Sequence, residues 1–211
     1  MKIAHALLLT VFAVVSTPVP ASQTKTYDFT VFLDDKEIGH HRFAVFPRDT
    51  LTHVTSEARF NVTFLFINAY TYLHSNTQIF RGECLRAIDA TTDDNGDAMF
   101  VRGEYSDQKL VLQTHAGKQQ LVGCISTFAY WNPELLDGKQ LLNPQTGELM
   151  AVDFQALGES SVTVRGKQVP ARQYRIDNPE VSIDLWYDGN QEWVALESTT
   201  KDGARLRYQI Q

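Results

Sequence analysis

Apolar and polar residues alternate with a period of two along almost the whole chain, in TYDFTVFL (26 to 33), HHRFAVF (40 to 46), LTHVTSEARFNVTFLF (51 to 66), AYTYLHSNTQIF (69 to 80), CLRAIDAT (84 to 91), AMFVRGEY (98 to 105) and KLVLQTH (109 to 115). The pattern resumes in SSVTVRG, QVPARQYRI, VSIDLWY, EWVALESTT and ARLRYQI. Successive side chains of a strand point to opposite faces, so such alternation specifies half-buried strands and excludes amphipathic helices. Asp94-Asn95-Gly96-Asp97, Arg165-Gly166-Lys167 and Lys201-Asp202-Gly203 fall between runs. Asn-Gly and similar pairs supply the positive φ of tight hairpins. The expectation is all-β: an antiparallel meander of about eleven strands.

A twisted sheet of that size does not stay flat, so the meander should curl or close incompletely into a barrel. The segment from 125 to 152, ISTFAYWNPELLDGKQLLNPQTGELMAV, breaks the alternation with two Asn-Pro steps and two leucine pairs. It reads as a long connection carrying one or two short helices, the one candidate for a lid over the concave face.

The first residues, MKIAHALLLTVFAVVSTPVPAS, place a lysine before an apolar run and small residues at Val19 and Ala21. This is the layout of a secretory signal peptide spanning 1–21, which predicts a periplasmic or secreted protein. No later run approaches the ~20 apolar residues of a membrane-spanning helix, so the mature chain is expected to lack an integral membrane segment. Residues 22–211, about 190 in number with no Pro, Ser or Gly linker, suit a single β domain. A formal charge of −6 with scattered lysines and arginines argues against nucleic acid as a partner.

Both cysteines, Cys84 and Cys124, lie in the exported part. An oxidising compartment favours a bridge between them, the alternative being two buried thiols.

Tyr70, Tyr72, His74, Asn76 and Gln78 share one side of their strand. Such a row could supply His74 as a general base with the Tyr72 hydroxyl as a donor, or it could be a polar lining or a wet surface. His40 and His41 are adjacent and so face opposite sides. With no paired histidine spacing, no metal site is expected. Asp93 to Asp97 reads as a hairpin turn rather than a calcium loop, and Gly158-Glu159-Ser160-Ser161 lacks the setting of a nucleophile elbow. No phosphate-cradling loop or dinucleotide fingerprint is present, so no cofactor is expected.

The aromatic residues carry more information. Most must be core, but Phe64, Phe66, Trp131 and Trp186, with Tyr130 in the lid and Tyr70, Tyr72 and His74 on the facing strand, form a candidate lining for an acyl chain or similar ligand.

VFLDDKEIGHHRFAV, FLFINAYTYLHSNTQIFRGECLRAIDATTDDNGDAMFV, YWNPELLDGKQLLNPQTGELMAV and VSIDLWYDGNQEWVALESTTKDGARLRYQI together resemble a group of bacterial exported β proteins catalogued as a domain of unknown function. Members are often encoded beside cyclopropane-fatty-acid-synthase-like and flavin-dependent lipid-modifying proteins, so the resemblance implies a lipid-related setting and brings no reaction. Where the family pattern is His-x-x-x-Glu-x-Trp, this chain has Gln78 and Phe80 after His74. The expected function is therefore non-catalytic binding of a hydrophobic small molecule or lipid. The alternatives are an enzyme using His74 on such a lipid, and a structural module offering a sheet edge to a protein partner.

Overall fold

The structure, a computed structural model, describes residues 23–64, 67–179, 181–199 and 203–211. The expected leader, 1–21, lies outside them.

Thirteen strands form one sheet, and three short strands form a second. Strands β1 (Lys25–Leu33), β2 (Lys36–Arg48), β3 (Leu51–Phe64), β4 (Ile67–Arg81), β5 (Cys84–Asp94), β6 (Asp97–Ser106), β7 (Lys109–Thr114) and β8 (Gly117–Val122) follow one another as a meander. Strands β12 (Asp153–Val164), β13 (Lys167–Asp177), β14 (Ser182–Asp188), β15 (Trp193–Thr199) and β16 (Arg205–Ile210) make a second meander. The two join where β16 pairs antiparallel with β1, matching Val31 with Tyr208. β8 and β12 remain the two edges, so the sheet is curled but not closed. Asn95 (φ 55°) and Gly96 (φ 99°) form the β5–β6 hairpin that their sequence predicts, between the paired Asp94 and Asp97.

The chain is all-β, with sixteen strands among the described residues rather than about eleven. In the large sheet the alternation misses β8, GKQQLV, whose residues are all exposed or half-buried, so burial leaves little apolar signature. The other additions are β9 (Ser126–Thr127), β10 (Gln140–Leu142) and β11 (Leu149–Ala151), with two or three residues each. Runs that short cannot display a period. β9 and β10 pair in parallel, whereas every pairing within the large sheet is antiparallel.

The 125–152 segment also departs from expectation. It contains no α-helix, only a 3₁₀ turn at Pro133–Asp137, with Asn132 accepting from the Glu134 amide and Gly138 ending it. Five residues between two such stops are too few to nucleate an α-helix. Leu135, Leu141 and Leu142 are fully buried, so the segment is a packed plug rather than a removable lid. It spans the concave side: Ile125 accepts from the Leu85 amide, Gln119 donates to the Gly147 carbonyl, and the Tyr187 hydroxyl donates to the Tyr130 carbonyl at 2.8 Å.

The main core lies between the curled sheet and this plug. Phe29, Val31, Phe80, Leu85, Leu112, Leu185 and Trp193 are almost completely inaccessible, each contributing about 1.5–3 kcal/mol by burial. Trp193 anchors an aromatic cluster, with its ring centroid 4.3 Å from Phe29 and 5.2 Å from Phe43.

Candidate functional site

A cavity of about 340 Å³ remains between the β2–β4 wall, the plug and β14–β16. Its floor is built by strand parity. On β4, Tyr72, His74, Asn76 and Gln78 all face inward, at 5–9% exposure, so the row is a polar lining and not a wet surface. The pairing places Ser56 of β3 opposite Asn76, and Ala58 between His41 of β2 and His74 of β4. Two strand spacings of about 4.8 Å therefore separate the two histidine backbones on one face.

The floor is hydrogen-bonded in short chains. His41 Nε2 lies 2.7 Å from Ser56 Oγ, and its Nδ1 lies 3.2 Å from the Tyr208 hydroxyl. His74 Nδ1 lies 2.9 Å from Thr92 Oγ1. Thr127 of the plug donates to Gln78 Oε1 at 3.3 Å. One group of the floor is left over: the buried Asn76 Oδ1 has no hydrogen-bond partner among the described residues.

Burial lowers the His41 pKa to about 3, with the neighbouring His74 adding to the effect, and lowers His74 to about 4. Both imidazoles are therefore neutral at pH 7. The Tyr72 and Tyr208 hydroxyls are pushed up by burial and stay protonated. Phe128, Trp131, Met150, Ile183, Leu196 and Leu206 contribute to the opposite, largely apolar wall, which also carries Asn143, Gln145 and Ser198. Among the described residues, no Asp, Glu, Lys or Arg lines the cavity.

This arrangement has room for a small apolar body against a floor of neutral donors and acceptors. Ser56, His41 and Tyr208 do form a continuous hydrogen-bonded chain. An imidazole with a pKa near 3 is nevertheless a weak general base at neutral pH, and no carboxylate orients it among the described residues. Among the described residues, no group of three or more His, Cys, Asp or Glu side chains could hold a metal ion.

The structure brings Tyr72, His74, Tyr130 and Trp131 together around the cavity, with the Trp131 ring 5.6 Å from Phe80. It does not bring Trp186 there. Leu185 and Tyr187 face the main core, so Trp186 points to the other face, where it packs with Ala171, Val194 and Ala195 and its Nε1 donates to Ser160 at 3.4 Å. Tyr70 is half-buried beside the core, outside the cavity lining, and its hydroxyl donates to Asp94 at 2.6 Å. Phe64 ends β3, its backbone paired with Ile67, and Phe66 lies outside the described residues. Cys84 and Cys124 are joined in a disulfide.

His41, Ser56 and Tyr208 are site residues that the sequence reading overlooked. A signal existed for His41: it shares parity with Phe43 and Val45, both buried. Tyr208 carries none, since its place on the wall depends on β16 pairing with the distant β1.

A solved structure described as a beta-barrel-like protein of domain of unknown function DUF1849, from Brucella abortus, is similar to this chain, with a TM-score of 0.63. The two are 13% identical, and the similarity covers 89% of this chain and 94% of that one, a likeness of fold alone. No curated protein matches the chain. The family model described as a domain of unknown function, DUF6134, matches residues 29–211, and the chain belongs to that family.

Proposed function

We propose that this chain is an exported, non-catalytic binding protein for a hydrophobic molecule, a lipid or other acyl-chain compound. The carrying observation is the cavity of about 340 Å³, largely apolar on one wall and largely polar on the other. That volume lies within the ~300–1,000 Å³ of small-molecule sites. The low pKa values of His41 and His74 favour binding over acid–base turnover. Export is proposed from the leader-like first 21 residues, and a disulfide between Cys84 and Cys124 suits an oxidising compartment. The choice of a lipid also follows the setting implied by the family resemblance.

Native mass spectrometry of the protein purified from its own exported fraction tests the reading. A copurified small lipid is expected, together with a rise in Tm on adding acyl compounds. No bound mass and no thermal shift across fatty acids, fatty alcohols, acyl esters and phospholipids would overturn it.

A further inference from the structure

We infer that the cavity takes an acyl compound with an uncharged, oxygen-bearing head group, an alcohol or ester rather than a carboxylate, and that Asn76 reads that head. This rests on the binding function proposed above and narrows its ligand.

A bound carboxylate would have to leave water, and that costs heavily unless a cation or several donors replace the lost hydration. Among the described residues, no lysine or arginine lines the cavity. The histidines could supply a cation only if protonated, and both are enclosed by neutral hydroxyl partners, His41 between Ser56 and Tyr208 and His74 with Thr92, where burial keeps the rings neutral. An anionic head would thus meet no counter-charge.

A neutral head meets a prepared place. Asn76 is 94% buried (6% exposed), lines the cavity and leaves its Oδ1 without a partner among the described residues. A buried unpaired amide oxygen is costly, and a ligand hydroxyl donating to it removes that cost. With the amide turned over, its N–H would instead donate to an ester carbonyl. Ser56, opposite Asn76 in the pairing, offers a further oxygen beside it. At about 30 Å³ per heavy atom, the share of a water molecule in the liquid, the cavity of about 340 Å³ has room for about eleven such atoms. A ten-carbon alcohol is a suitable probe.

Isothermal titration of the full mature protein with 1-decanol, methyl decanoate and decanoate at pH 8 tests the assignment. Decanol and the ester are expected to bind at least about tenfold more tightly than the anion. Asn76→Leu is expected to weaken decanol at least about fivefold while leaving n-decane unchanged. Decanoate binding as tightly as decanol would overturn the head-group assignment and leave the binding function standing. Decanol binding unchanged in a folded Asn76→Leu protein would likewise overturn it, and the wild-type comparison decides the matter if that variant fails to fold. Binding of none of the probes would overturn the proposed function and this assignment together.

Discussion

Cys124, two residues beyond β8, is bonded to Cys84 at the first position of β5, with a Cα separation of 4.8 Å. The bridge fixes the entry of the plug against the wall, and the next hydrogen bond, from the Leu85 amide to the Ile125 carbonyl at 2.8 Å, continues the same seam. Closing a loop with a sequence separation of 40 stabilises by about 4 kcal/mol in the chain-entropy model. The Cys84→Ser, Cys124→Ser double variant should lose about 3–4 kcal/mol in urea unfolding. An unchanged midpoint would contradict that role.

Tyr187 ties the other side of the plug, its hydroxyl donating to the Tyr130 carbonyl at 2.8 Å. Tyr187→Phe leaves that carbonyl without this donor, at a cost of about 1–2 kcal/mol. Hydrogen exchange should quicken at the amides of Ala129 and Asn132, which are bonded within the plug, more than in β4. Uniform quickening across the molecule would show instead that the plug and sheet open as one unit.

Gly39 admits no side chain. Its φ is +150°, and an added Cβ would lie 1.9 Å from the Arg59 carbonyl oxygen across the β2–β3 pairing. Gly39→Ala forces the strands apart two residues before His41, and should cost about 3 kcal/mol or more. Circular dichroism melting measures the loss. A change in Tm under about 2 °C would be incompatible with so close a contact.

The two cavity histidines predict sensitivity to acid. Their folded pKa values, about 3 for His41 and about 4 for His74, lie below the unfolded value of 6.5. Between those limits the unfolded chain binds more protons, so stability is full above about pH 6.5 and falls as pH drops, by up to about 1.4 kcal/mol per pH unit for each histidine. The loss levels off below about pH 4 for His74 and below about pH 3 for His41. Urea midpoints at pH 7.5, 6 and 5 should decline in the natural chain, and decline less in the His41→Gln, His74→Gln double variant. Equal slopes would refute the assignment.

Substituting Ser198, which lines the cavity from β15, by Phe should fill space that a ligand would occupy. Affinity for 1-decanol should fall at least about tenfold while unfolding stability changes by less than about 1.5 kcal/mol. Unaltered affinity would place the ligand elsewhere.

Much of the sheet can be read from local pattern. Twelve of its thirteen strands announce themselves by alternation, because most have one face on the core and one toward solvent, and Asn95-Gly96 marks its hairpin by needing positive φ twice. The polar row of β4 is legible as a row, since parity is a property of the strand alone. Its direction is not. Tyr72, His74 and Asn76 are inside because the plug and β14–β16 cover that face of the sheet, and nothing within AYTYLHSNTQIF distinguishes an inward polar row from an outward one.

Trp186 shows the opposite failure. Alternation puts it on the face away from Leu185 and Tyr187, yet both faces of β14 are buried, one on the main core and the other on a small cluster with Val162 and Val164 of β12. Size and hydrophobicity cannot tell two buried faces apart. The sequence by itself determined the all-β class, the hairpins and the pairing partners of Cys84 and Cys124 available to it, because these follow from side-chain period, turn stereochemistry and the presence of only two cysteines. Only the tertiary structure decided the cavity. It arises where β16 pairs with β1 across 173 or more residues, setting Tyr208 beside His41, and long-range pairing of that kind leaves no trace in the local pattern of either strand.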